Sequence, residues 1–276
     1  MFSKFNQKIK RGLPQVKTSN YHDLQQVELL NTMAGQHLRV SVFYIDGMVI
    51  DTGPSRKLDV VESLFDTWDV ERVVCTHHHE DHTGGASHIA QKLNIPIYMH
   101  DLGTKICAKR ASLPLYRRLY WGNRLPFKSI PLEATFQTKD YTWDVLHTPG
   151  HADDHVALYN REKKWMFGGD LYVYPTPKSM FAFESLPEMI ASLEKVLTYD
   201  FDVYICSHAG VIEEGRKAVE HKLSYLRKVQ ADVRALHKEG FSPRTIRKQL
   251  FPKKHRMHYL SFFENSPHHM VRSVLE

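Results

Sequence analysis

Four short segments rich in histidine and aspartate, each placed just after a run of apolar residues, limit what this chain can fold into. "HHHEDH" (His77 to His82) follows "ERVVCT", "HTPGH" closes at His151, "FGGD" closes at Asp170 and "ICSH" closes at His208. Short apolar runs bounded by Gly, Pro, Asp or Ser read as buried strands. Every cluster therefore sits at a strand end, next to small residues that let a loop pass close to something bound. The fold must be one in which several strands deliver polar loops to a shared edge.

The pattern between the clusters agrees. "LRVSVFYIDGMVIDTG" alternates apolar and polar residues, turns at Asp46-Gly47 and resumes as a second apolar run, the signature of a β-hairpin. "SRKLDVVESLFDTW" carries Leu58, Val61, Leu64 and Phe65 at helical spacing, and "GGASHIAQKLN" predicts a helix opening directly after the histidine cluster. With "IPIYMH" as a strand, the first hundred residues read β-β-α-β-α-β. Residues 101–131 loosen into short helical pieces rich in basic and aromatic residues. Strands return with "YTWDVLHTPG", "HVALYN" and "KWMFGGD", joined by the polar turn "NREKK". "SLPEMIASLEKVL" has a capping-box start, Ser185 with Glu188 three residues later. "DVYICSH" is read as the last strand, and the remainder as helical, with a break at Gly240 and a new start at Ser242-Pro243. This order predicts an α/β (α+β) two-sheet αββα sandwich with a helical C-terminal extension. The expected division is 1–212 as catalytic domain, with 101–131 as a lid-like insertion, and 213–276 as the extension.

Composition narrows the function classes. Of 276 residues, 42% are hydrophobic and 25% charged, enough apolar content for a core. The basic N-terminus, "MFSKFNQKIKRGLPQVK", has no apolar h-region, and no run of about 18 apolar residues occurs, so neither an export signal nor a membrane span is expected. Cys75, Cys107 and Cys206 show no CxxC spacing, which argues against a disulfide framework or a thiolate zinc knuckle and for the cytoplasm. The net charge of +6 is uneven. Seven Lys/Arg and no acid lie between Leu102 and Ile130, and thirteen Lys/Arg against three acids lie between Arg216 and His258. That pattern favours an anionic partner, either a small molecule or single-stranded RNA; solvated helix faces account for it equally well. The oligomeric state is open, a homodimer included.

Neutral imidazoles and carboxylates are ligands for borderline divalent metals. His77, His79, Asp81, His82, His151, Asp170 and His208 are the candidates. The joint pattern resembles the metallo-β-lactamase superfamily: "HHHEDH" fits its HxHxDH signature, and "HTPGH", "GGD" and "SH" fit the later ligand motifs. The resemblance runs from about Val40 to Gly210. It implies one metal held by His77, His79 and His151, a second held by Asp81, His82 and His208, and Asp170 bridging them. Asp51 in "IDTG" would buttress the metal loop. Two divalent ions, zinc first with iron or manganese admitted, are implied, sharing a hydroxide that attacks the substrate while Asp81 or Asp170 orients it.

His78 and Glu80 alternate out of that set and read as structural. His155 is read as either a neighbour of the metal ligands or a buried, satisfied histidine. Tyr172 and Tyr174 are potential donors to a substrate, with aromatic packing favoured, and Cys75 and Cys206 read as core. The wording "TPGHADDHVAL" and the tail layout resemble the β-lactamase-like protein 2 branch, which implies endoribonuclease activity. "HTPGH" is shared with the hydroxyacylglutathione hydrolase branch. An ester, thioester or lactone hydrolase comes first and a single-stranded RNA endonuclease second. Third is an iron-dependent oxidoreductase or dioxygenase on the same scaffold.

Overall fold

The computed structural model describes residues 15–33, 35–253 and 256–276. The basic stretch up to residue 14 lies outside the described residues. The described residues form two compact units, those up to 145 together with 160–162, and those of 146–159 together with 163–276.

The first unit is built on a seven-stranded sheet. Its elements are β1 (Val16–Tyr21), β2 (Leu24–Met33), β3 (Gln36–Ile45), β4 (Met48–Ile50), α1 (Leu58–Phe65), β5 (Arg72–Val74), α2 (Glu80–Thr83), α3 (Ala86–His88), β6 (Ile97–Met99), α4 (Asp101–Cys107), α5 (Leu115–Trp121) and β7 (Ile130–Pro131). They are followed by the hairpin β8 (Thr135–Gln137) and β9 (Thr142–His147). Strand order is β1-β2-β3-β4-β5-β6-β7, antiparallel as far as β4 and parallel from β4 to β7. The hairpin at Asp46-Gly47 forms as the sequence predicts. Ile45 pairs with Met48, and both turn residues have positive φ, 51° and 75°, which matches the right-handed strand twist. β1 and β2 escape the sequence pattern. β1 reads "VKTSNY" and has no buried side chain, so nothing in its alternation announces a strand. β2 supplies its backbone partners and buries Leu24, Val27, Leu29 and Leu30.

The second unit contains β10 (Val156–Asn160), β11 (Trp165–Phe167), β12 (Met180–Phe181), α6 (Leu186–Val196), β13 (Val203–Cys206) and β14 (Gly210–Ile212). It continues with α7 (Gly215–Lys238), α8 (Pro243–Leu250), α9 (Arg256–Leu260), β15 (Asn265–Ser266) and α10 (Pro267–Leu275). β13 is not the last strand: β14 follows it antiparallel, and β15 pairs with β12 from within the helical extension. α6 starts as expected, with the Ser185 hydroxyl accepting from Glu188 N, and α8 starts at the Ser242 cap with Pro243 in its first turn. α7 buries Val219, Leu223, Leu226, Val229 and Val233 at helical spacing. These side chains share one core cluster with Leu186, Met189 and Leu193 of α6, Ile246 of α8 and Met270, Val271 and Val274 of α10. The extension is thus built into the core of the second unit. No helix among the described residues is long and apolar enough to cross a membrane.

Candidate metal centre

In the first unit the site grows from two adjacent parallel strands. β4 and β5 pair with Ile50 opposite Val74, so the residues just beyond their C-terminal ends, Asp51 and Thr76, emerge side by side. Asp51 holds a left-handed backbone, φ 60°, a conformation aspartate tolerates better than most residues. Its Oδ1 accepts from Thr76 N at 2.8 Å and Thr76 Oγ1 at 3.0 Å, and its Oδ2 accepts from His82 Nδ1 at 2.7 Å. His82 is fully buried, and its carbonyl accepts from Thr52 N at 2.6 Å, locking the loop to the strand end.

These bonds set imidazole tautomers. His82 gives its Nδ1 proton to Asp51, which leaves Nε2 as the lone-pair nitrogen, 3.7 Å from Asp81 Oδ2. The Thr76 hydroxyl spends its proton on Asp51, so it accepts from His77 Nδ1 at 3.0 Å, and His77 likewise keeps Nε2 as a lone pair. That nitrogen lies 3.0 Å from His79 Nδ1. Two ligands of one tetrahedral zinc, each about 2.0–2.1 Å from it, stand about 3.3 Å apart.

Glu80 is excluded from the donor set by a different bond. It is 1% exposed, and Arg117 of α5 clamps it with Nε to Oε1 and a terminal amino group to Oε2, each at 2.7 Å. Burial pushes the Glu80 carboxyl up, and the guanidinium pulls it back toward its ionised form. His78 packs edge-on against His79, with ring centroids 4.8 Å apart.

The second unit uses the same construction. β11 and β13 are parallel, with Phe167 opposite Ile205, and Ser207 N donates to Gly169 O at 3.0 Å. Asp170 and His208 therefore emerge side by side, with His208 Nε2 2.9 Å from Asp170 Oδ2. His151 Nε2 reaches the same oxygen at 3.5 Å. His151 is carried by a loop pressed onto the start of α6. Gly150 has φ 125°, and a Cβ there would lie 2.4 Å from Met189 N, so only glycine fits. Two further groups complete the arrangement. His155 Nε2 accepts from Asp170 N at 3.1 Å while its Nδ1 donates to Thr148 Oγ1 at 2.8 Å, which makes it a support for Asp170. Glu184 Oε1 accepts from His151 Nδ1 at 2.7 Å.

Among the sequence candidates, the first unit brings together His77, His79, Asp81 and His82, and the second brings together His151, Asp170 and His208. All seven fall in groups of His and Asp donors able to hold a metal ion. Five imidazoles and two carboxylates, without thiolates, fit a borderline divalent ion. Tyr172 is buried, packed against Tyr204 at 5.9 Å and under Lys222, whereas Tyr174 is exposed. Cys75 and Cys206 are buried core thiols, and burial raises the Cys206 thiol. Sequence reasoning missed Thr76, Glu184 and Lys222. Glu184 lies 33 positions from its histidine, with no motif linking them.

The family model described as "Metallo-beta-lactamase superfamily" matches residues 37–208. The chain belongs to the metallo-β-lactamase superfamily. Within that superfamily it is 29% identical over 190 residues to the "Beta-lactamase-like protein 2 homolog" of Drosophila melanogaster, covering 64% of this chain and 60% of that one. It is 31% identical over 154 residues to the "Hydroxyacylglutathione hydrolase" of Nitrosomonas eutropha, covering 53% and 50%. The chain thus spans between half and three fifths of the length of these two relatives. A metallo-β-lactamase family protein from Thermus thermophilus superposes with a TM-score of 0.66 at 18% identity over 92% of each chain. A metallo-β-lactamase from Pontibacter korlensis gives 0.61 at 20% identity over 77% of this chain and 99% of that one. The fold is the mixed α/β metallo-β-lactamase fold expected from the sequence, with several sheets and a helical C-terminal region.

Proposed function

We propose that this chain is a dinuclear metal-dependent hydrolase that opens an ester, thioester or lactone carbonyl, with 1–212 as its catalytic domain. The observation that carries the reading is the state of the imidazoles. His77, His82 and His151 each commit Nδ1 to a fixed acceptor and turn a lone-pair Nε2 toward neighbouring donors. Such preset tautomers are what metal ligation needs. His77, His79 and His151 would hold one cation, Asp81, His82 and His208 a second, and Asp170 both. Two divalent cations bound there, zinc first, would supply acidified water and electrophilic pull on the substrate oxygen. The chain's own contribution is positional: Asp51, Thr76, His155 and Glu184 fix the ligand atoms, and Asp81 or Asp170 would orient the attacking water. The similarity to a protein named hydroxyacylglutathione hydrolase supports a carbonyl substrate. The three cysteines are buried and form no disulfide among the described residues, which supports a cytoplasmic setting.

A second reading, cleavage of single-stranded RNA, is favoured by one surface. Arg234, Lys238, Arg244 and Lys248 of α7 and α8 are exposed and have no carboxylate partner among the described residues. In the insertion the support is weaker, because Arg117 is committed to Glu80 and Arg124 is buried, donating to the carbonyls of Cys107 and Lys109. The deciding experiment presents zinc- or manganese-loaded protein with a thioester and with a labelled RNA oligonucleotide, with Asp81→Ala as control. Thioester turnover that vanishes in the variant supports the first reading. RNA cleavage that vanishes in the variant and weakens steeply with salt replaces it with the second. Metal analysis that finds iron, with turnover of neither substrate, moves the assignment to an oxidoreductase.

A further inference from the structure

Glu184 and His151 meet across 33 residues of chain. The carboxylate and the ring are both more than nine-tenths buried, and Oε1 to Nδ1 is 2.7 Å. The other oxygen, Oε2, accepts from Phe181 N at 2.6 Å, and Glu184 N donates back to Phe181 O at 3.2 Å. The whole carboxylate is thereby used, and its position is tied to the backbone of Phe181.

That backbone is in turn held by the far end of the chain. β12 is two residues long, too short to stand alone, and its pairing partner is β15, Met180 opposite Ser266 and Phe181 opposite Asn265. Ala182 N donates to Glu264 O at 3.0 Å, Ser179 Oγ donates to Asn265 Oδ1 at 2.6 Å, and Leu186 N donates to Ser273 Oγ at 2.7 Å. The segment from Ser179 to Leu186 is therefore laced at both ends to Glu264–Ser273. That stretch is itself fixed by Met270, Val271 and Val274 of α10 in the core and by Asn265 N donating to Ser261 Oγ at 2.9 Å.

We propose that Glu184 is a positioning residue that holds His151 in the tautomer and ring angle that turn Nε2 to the metal. We further propose that the C-terminal segment Glu264–Ser273 sets the affinity of that metal site by holding Glu184. The proposal rests on the reading of His151 as a ligand. Its physical basis is general: a carboxylate on the far nitrogen of a ligating histidine fixes its orientation and raises its basicity, and its loss costs about 10–100-fold in metal affinity. It assigns the extension a part that its basic composition does not announce.

The test uses the full chain and measures zinc affinity by chelator competition, the absorption spectrum of the cobalt(II)-substituted protein, and the histidine tautomers of the metal-free protein by long-range nitrogen–proton NMR. His151→Ala is expected to lose one of two metals. Glu184→Ala is expected to weaken one site by about 10–100-fold and to release the fixed His151 tautomer. Glu184→Gln, which preserves the volume and one acceptor, is expected to weaken it less and serves if the alanine variant does not fold. Asn265→Ala is expected to weaken the same site several-fold, with no further loss when combined with Glu184→Ala. Metal loss in His151→Ala with wild-type affinity and an unchanged tautomer in both Glu184 variants overturns the positioning role, and the C-terminal link that acts through it, while the ligand reading stands. Additive losses in the double variant overturn the link to the C-terminal segment. If His151→Ala retains both metals at wild-type affinity, the ligand reading beneath the proposal falls, and the proposal with it.

Discussion

At the scale of single residues the chain invests its buried polar groups in fixing nitrogen lone pairs. Asp51 serves two strand ends and one imidazole at once, so Asp51→Ala is expected to lower metal affinity on the His82 side by about 10–100-fold, read by chelator competition. Asp81→Ala and His79→Ala are expected to abolish turnover in protein that stays soluble; full activity in either would remove the assignment. Lys222 offers a test through pH. Its ammonium is 3% exposed and donates to the Tyr172 carbonyl, and burial pulls its pKa from 10.5 down to about 8 against the attraction of Cys206, Glu184 and Asp170. Between about pH 8 and 10.5 the unfolded chain keeps a proton that the native one has released, so this group makes stability rise with pH across that window. Lys222→Met is expected to flatten the rise, seen by comparing urea midpoints of both proteins at pH 7.5 and 9.5; parallel pH dependences would refute it. Residue identity alone marked the candidate ligands, because few side chains bind borderline metals. It was silent on Glu184 and Lys222, whose importance comes entirely from what they touch.

At the scale of elements, the readable parts were those whose signals are local. The Asp46-Gly47 hairpin, the Ser185 cap of α6 and the break before α8 all follow from turn and cap chemistry within a few residues. β1, β8, β12 and β15 were not readable. They are short or polar and exist because another strand offers them hydrogen-bond partners, as Thr135–Gln137 finds in β9. The α5 connection to the metal loop is another non-local feature, and removing one partner would expose its cost. Arg117→Met leaves Glu80 buried without its guanidinium, with an expected loss of about 3–5 kcal/mol in urea unfolding. The double variant that also replaces Glu80 by methionine should recover most of that loss.

At the scale of the whole molecule, the helical extension is continuous with the core of the second unit. Val271→Ala in α10 is expected to cost about 1.5–3 kcal/mol, about 0.8 kcal/mol for each of two buried carbons plus the cavity left behind. Amides in α6, α7 and α10 are expected to exchange with solvent through a common opening, because their side chains share one cluster. Exchange of α10 at a far lower free energy than α6 would show the extension to be a separate unit. The sequence by itself determined the superfamily, and it marked seven candidate donors at strand ends. Donor chemistry is a property of side-chain type, and strand ends are set by short-range periodicity and small residues. Only the tertiary structure decided which carboxylates and hydroxyls aim those donors, and that a strand near the C-terminus braces one of them. Such pairings span tens of residues, and no local energy term encodes them until the backbone has folded.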